Sequence, residues 1–190
     1  MGLHAQRIYG PSFEEQPVDA RGDGTGWIDV SEGGGAGGAT LDTNVSFHGL
    51  ASQRLSMGSG GGRVAVANRG LGNEGLYFEA NKTYDGYLFV KSAEPTELAL
   101  SIETWTAAAG SVPRTAQTLA SVVVNVTGGA DWQQVNYSLL TNSTANCTGI
   151  TAGGDVATAA NITCPVNVTY SHKGSAAVSD TSAHVCVMCS

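Results

Sequence analysis

Apolar and polar residues alternate one by one through the middle of this chain. In TELALSIETW, residues 96–105, Leu98, Leu100 and Ile102 alternate with Glu97, Ala99, Ser101 and Glu103. That two-residue period predicts a strand with one face in a core and the other wet. LASVVVNV and WQQVNYSLL repeat the pattern: Asn125 opposes Val122, Val124 and Val126, and Asn136 opposes Val135, Tyr137 and Leu139. Both asparagines are therefore expected to point outward. TYDGYLFVKS, residues 83–92, predicts a further strand, with Tyr84, Tyr87, Leu88, Phe89 and Val90 read mostly as core. Shorter strands are predicted at RIYG, at Trp27 to Val30, in LASQRLSMG and GRVAVAN on either side of GSGGG, and at Val185 to Met188. No window has the period of an amphipathic helix. Several strands with turn signals between them predict an all-β fold, a jelly-roll β-sandwich.

Composition narrows the function classes. A chain of 190 residues, 42% hydrophobic, can bury one substantial core and predicts one main domain. Charged residues are only 13% and the formal charge is −7, with nine Lys and Arg scattered along the chain. A nucleic-acid binder would cluster such cations against phosphates, so nucleic acid is excluded as a partner. No apolar stretch reaches the length of a membrane span, so no membrane partner is expected. The glycine runs at 33–38 and 58–62 precede no helix start and are loops rather than phosphate cradles. No cofactor is implied. His4, His48, His172 and His184 have no ligand-spaced partner, and no G-x-S-x-G elbow is present.

The compartment is read from asparagine and cysteine. Eight of ten asparagines begin Asn-x-Ser/Thr: Asn44, Asn81, Asn125, Asn136, Asn142, Asn146, Asn161 and Asn167. With 35 Ser and Thr in 190 residues, chance would supply about two. Cys147, Cys164, Cys186 and Cys189 all fall in the last quarter, an even count that fits disulfides in an oxidising compartment. Pairing of Cys147 with Cys164 and Cys186 with Cys189 is one of three connectivities, all open. A structural zinc is the rival, but only one C-x-x-C is present. The expected location is extracellular. Met1 to Gly10 has no signal-peptide core, and the end at CVMCS looks like a strand cut short, so the chain is expected to be a fragment. Residues 141–183, rich in Thr, Ala, Ser and Gly, read as a glycosylated excursion stapled by a disulfide.

Aromatic side chains are the remaining candidate chemistry. Trp27, Tyr77, Trp105, Trp132 and Tyr137 can stack on sugar rings, because an aromatic face suits their apolar C–H patches. Trp132 and Tyr137 read as core. Tyr77, beside the glycine-broken loop, and Trp105, at a strand end, are the binding candidates.

Two stretches carry a family resemblance. RVAVANRGLGNEGLYFEANKTYDGYLFVKSAEPTELALSIE resembles the carbohydrate-binding-module-like jelly roll of plant and algal α-L-arabinofuranosidases of glycoside hydrolase family 51. LASVVVNVTGGADWQQVNYSLL resembles a later part of the same module, and the likeness covers roughly residues 44–140. IYGPSFEEQ is similar to the first strand of those enzymes' catalytic barrel, where Glu14 matches the carboxylate that helps hold arabinose. Glu74 stands near the place where the family usually shows a loop aromatic. The resemblance implies a first segment over 1–26 and a carbohydrate-binding-module-like sandwich over 27–190. It also implies a carbohydrate partner of the arabinan or arabinoxylan class, substrate contacts at Glu14, Tyr77 and Trp105, and the catalytic barrel of a parent chain as a further partner. No catalytic residue is expected here. A retaining glycosidase needs two carboxylates about 5 Å apart, and a complete barrel needs roughly 250 residues. Glu14 and Glu15, adjacent on a strand, would face opposite ways. The competing reading is a secreted cell-wall or adhesive glycoprotein, suggested by the sequons and by RGD at Arg21 to Asp23.

Overall fold

The computed structural model describes residues 27–29, 37–58, 62–68, 78–106, 114–142, 166–173 and 182–188, with side chains left out at 105–106, 114–116, 166–173 and 182–188. Among them lie β1 (Trp27–Asp29), β2 (Gly38–Asp42), β3 (Ser52–Ser56), β4 (Arg63–Asn68), β5 (Thr83–Ser92), β6 (Thr96–Thr106), β7 (Arg114–Val126), β8 (Gln133–Leu140), β9 (Val166–Lys173) and β10 (Ser182–Met188). They form two five-stranded sheets, ordered β1-β4-β9-β6-β7 and β2-β3-β10-β5-β8. The all-β jelly-roll sandwich expected from the alternation is the fold found. β5 has the bounds that the sequence pattern predicts.

Among the described side chains, the inward rows of the two sheets meet. Val64, Val66, Leu98, Leu100, Ile102 and Val126 of the first sheet pack with Leu55, Leu88, Val90 and Leu139 of the second, and Trp27, Met57 and Phe78 belong to the same cluster. At about 1.5–3 kcal/mol for each large side chain withdrawn from water, this shared layer is the main force joining the sheets. Gly86 is the gap in β5's inward row. Its Cα partner on β8 is Tyr137, whose ring lies where any Cβ at residue 86 would have to go. The glycine is needed for that close approach rather than for its backbone freedom.

Two strands were not foreseen. β2 lies in GATLD, directly after the glycine run. β9 lies inside the stretch expected to be an excursion, yet it sits between β4 and β6 at the centre of the first sheet. The alternation in VNVTYSHK accounts for it, with Val66, Tyr170 and Leu100 in one row across three strands. β10 likewise runs between β3 and β5.

Two further expectations need correction. The outer row of β6 is not wet throughout: Glu97 is exposed, but Ser101 and Glu103 are 5% and 4% exposed. Glu103 Oε1 accepts from Arg63 Nη2 at 2.8 Å and from Ser101 Oγ at 2.7 Å, which satisfies the carboxylate away from water. The aromatics of β5 are not mostly core either. Tyr84 packs against the core, edge-on to Phe78 at 4.7 Å. Tyr87 and Phe89 have the opposite parity, that of Asp85 and Lys91, and lie on the outward face.

Thr141 ties the end of β8 to the turn before β5. Its backbone N–H donates to Lys82 O at 3.0 Å and its carbonyl accepts from Asn81 N at 2.7 Å. Its buried hydroxyl accepts from Lys82 N at 3.3 Å and donates to Glu79 O. Asn81 takes a φ of 58°, a left-handed position that asparagine tolerates.

Candidate functional site

On the outward face of the second sheet, β5 and β8 lie side by side at one edge. Their register sets Asp85 opposite Ser138, Tyr87 opposite Asn136 and Phe89 opposite Gln134. Side chains of one parity share a face, so Tyr87 and Phe89 stand beside the two amides, and Trp132 precedes Gln134 with the same parity. The loop 43–51 adds Phe47. Its ring stacks on Phe89 at 3.7 Å with planes 14° apart and meets Trp132 edge-on at 5.9 Å. Tyr87 meets Phe89 edge-on at 6.0 Å. Four aromatic rings thus form one cluster, with Phe47 39% exposed and Tyr87, Phe89 and Trp132 half-buried.

Local structure holds this cluster in place. In the loop carrying Phe47, Asn44 N donates to Asp42 Oδ1 at 2.8 Å, Ser52 Oγ donates to Val45 O at 2.6 Å and Ser46 Oγ donates to Gly49 O at 3.3 Å. Behind Trp132, Gln133 clamps the preceding turn: its Oε1 accepts from Thr127 N at 3.1 Å and Thr127 Oγ1 at 2.6 Å, and its Nε2 donates to Thr127 O. Gly128 lets that turn settle on residues 93–95, where a Cβ would come within 2.6 Å of the Pro95 nitrogen. Gly129 N donates to Ser92 O at 2.9 Å, fastening the turn to the end of β5.

The polar groups around the rings are mostly neutral. Gln134 Nε2 donates to Asn136 Oδ1 at 3.1 Å, fixing both amides beside the aromatic row. Asp85 and Lys91 bracket Tyr87 and Phe89 along β5. Flat apolar faces next to fixed amides suit a ring that has apolar C–H patches and equatorial hydroxyls. Among the described residues no group of three His, Cys, Asp or Glu is placed to hold a metal ion.

Of the residues singled out from the sequence, Asn136 lies on this face opposite Tyr87, and Trp132 joins the cluster instead of the core. Glu14, Tyr77, Cys147, Cys164, Cys189, Asn146 and Asn161 are outside the described residues, as is the whole segment resembling a barrel strand. Trp105 is in β6 of the first sheet, with Thr115 as its Cα partner, and so does not belong to the sheet that carries the aromatic cluster. Cys186 lies in β10 opposite Phe89, and Asn167 lies in β9 opposite Glu103. Asn44, Asn81, Asn125, Asn136 and Asn142 are exposed. The cluster of Phe47, Tyr87, Phe89 and Trp132 went unrecognised, although β5 carries its signal: aromatics share parity with Asp85 and Lys91 while Leu88 and Val90 fill the other row.

No protein-family model matches the chain, and no curated protein matches it. Solved structures do. A family 4 carbohydrate-binding module, solved in a study of CBM4 structure and function, superposes with a TM-score of 0.52 at 16% identity, over 86% of this chain and 92% of that one. A family 11 module from Clostridium thermocellum, in complex with a β-1,3-1,4-mixed-linked tetrasaccharide, gives 0.48 at 12% identity, over 90% and 92%. The CBM22-1 xylan-binding domain of Paenibacillus barcinonensis Xyn10C gives 0.47 at 12% identity, over 98% and 99%. At these identities the likeness is one of fold, and the chain has the β-sandwich fold of carbohydrate-binding modules.

Proposed function

We propose that this chain is a carbohydrate-binding module that holds a neutral polysaccharide against the outward face of its second sheet, on Phe47, Tyr87, Phe89 and Trp132. The observation that carries this reading is the four-ring cluster itself, half-exposed on a sheet face and edged by the Gln134 and Asn136 amides. Low overall charge suits an uncharged polymer, and the fold shared with a family 4 module supports it. One or two stacked rings add about 0.5–1.5 kcal/mol each beyond area burial, so affinity is weak.

The finer reading follows from the sequence resemblance. The polymer is of the arabinan or arabinoxylan class, the parent enzyme is an α-L-arabinofuranosidase of glycoside hydrolase family 51, and the protein is secreted. Glu14, Tyr77 and Trp105 are that reading's substrate contacts, and the catalytic barrel of the parent supplies the chemistry. The chain by itself then leaves an aryl α-L-arabinofuranoside unhydrolysed; turnover abolished in Glu14→Gln would refute that.

Affinity electrophoresis through gels holding arabinan, arabinoxylan, galactan, xylan or mixed-linked glucan tests binding. Retardation on at least one polymer, lost in Trp132→Ala and Phe89→Ala, is the expected result. Retardation that survives both changes but disappears in Tyr77→Ala or Trp105→Ala moves the site to those residues. No retardation on any polymer overturns the binding reading and leaves a sandwich that only supports a neighbouring domain.

A further inference from the structure

The aromatic face carries an acceptor for sugar within its own sequence. Asn136 begins Asn-Tyr-Ser, is exposed, and has Tyr87 as its Cα partner on β5. Directly opposite residues on one face of an antiparallel pair have Cβ atoms about 4.5–5.5 Å apart. A sugar joined to Asn136 therefore starts beside the Tyr87 ring. The hydrogen bond from Gln134 uses Asn136 Oδ1, so the amide nitrogen, the atom that carries a glycan, is not the one Gln134 engages. Other sequon asparagines on strands have different surroundings: Asn125 is opposite Glu97 and Asn167 is opposite Glu103. Asn81 sits in the left-handed turn before β5.

We propose that Asn136 is glycosylated and that its first N-acetylglucosamine stacks on Tyr87, so that the chain's own glycan covers one end of the aromatic face. This deepens the binding reading above and rests on it for one consequence: glycosylation at Asn136 shortens the surface open to polysaccharide. The stacking itself does not depend on any polymer being bound. The sugar's apolar face covers a half-buried ring that otherwise meets water, and the glycan gains a fixed direction along the sheet.

The full chain made in a secretory host is the material for the test. Mass spectrometry of peptides spanning Asn136 is expected to find a glycan there, and an unmodified Asn136 overturns the proposal. Ser138→Ala removes the sequon and keeps the asparagine. Its melting temperature is expected to fall by about 2–4 °C relative to the glycosylated wild type, the shift of one ring contact in a domain of this size. In a Tyr87→Ala background the same change is expected to shift it by less than about 1 °C. An equal fall in both backgrounds shows that the glycan does not use Tyr87 and overturns the stacking. Unglycosylated protein from bacteria controls for the serine, since there Ser138→Ala and wild type are expected to melt together. Retardation on polysaccharide is expected to be several-fold stronger for Ser138→Ala than for wild type, and equal retardation overturns the covering role. Absence of retardation in every form counts against the binding reading, while the melting comparison still decides the stacking.

Discussion

The two outward faces of the sandwich differ. On the first sheet, Ile28, Ala65 and Ala67 form a fully buried apolar patch, and Ser101 and Glu103 nearby are almost as enclosed, with Arg63 paired to Glu103. On the second sheet the outward residues are larger and less covered: Phe47 and Tyr87 flank Phe89, Trp132 meets Phe47 edge-on, and all four rings are partly open to water. Facing away from the shared core thus decides neither burial nor role. Around β1, β4 and the far end of β6, small residues and a satisfied carboxylate mark a closed area, while β7 at the sheet's edge keeps Val123 and Asn125 exposed. Large rings held half-open beside fixed amides mark a surface that keeps apolar area in water, which a folded chain sustains where a ligand uses it.

The largest effect that sharpens this contrast is Ile28→Ala. A fully buried isoleucine truncated to alanine costs about 2–5 kcal/mol, seen as a lower urea midpoint with the slope unchanged. A loss under about 0.5 kcal/mol would mean that the patch on β1 and β4 is not closed. Next is Glu103→Gln, which keeps the volume but removes the charge from the bonds with Arg63 and Ser101; about 1–3 kcal/mol is expected by the same measurement. Phe47→Ala removes the stacked partner of Phe89 and is expected to cost about 0.5–1.5 kcal/mol while weakening retardation on polysaccharide. Smallest is Asn125→Gln on the exposed outer row of β7, expected to stay within about 0.5 kcal/mol and to leave retardation unchanged. A binding loss there would remove the distinction between the two faces.

Much of the fold could be read from periodicity, and the site less so. TYDGYLFVKS and TELALSIETW have strong two-residue alternation and become β5 and β6. GATLD does not, because five residues after a glycine run hold too few apolar positions to reveal a period; β2 is set by pairing with β3. VNVTYSHK does alternate, but it lies within a stretch rich in Thr, Ala, Ser and Gly, whose composition predicts an excursion and hides the short period. Phe47 is harder. A single aromatic in a loop has no period, and only folding brings it against Phe89. Trp132 and Tyr137 read alike, yet Tyr137 packs against the core and Trp132 joins the outward cluster. Trp132 immediately precedes β8 and Tyr137 lies within it, and their opposite parity places them on opposite sides, which composition does not state.

The placement of β9 and β10 bears on how the protein is made. Each is the middle strand of a sheet, and both follow the eight other strands in the sequence. Until they emerge from the ribosome, the first sheet exists as two unconnected pairs, β1 with β4 and β6 with β7, and the second as β2 with β3 and β5 with β8. Each pair leaves open a row of backbone donors and acceptors that only the late strand fills. The sandwich therefore closes only once residues 166–188 are made, by insertion rather than by zipping from one end. A nascent chain stalled before residue 166 leaves open the four strand edges that β9 and β10 later cover, the kind of unpaired edge that makes a folding chain prone to aggregate.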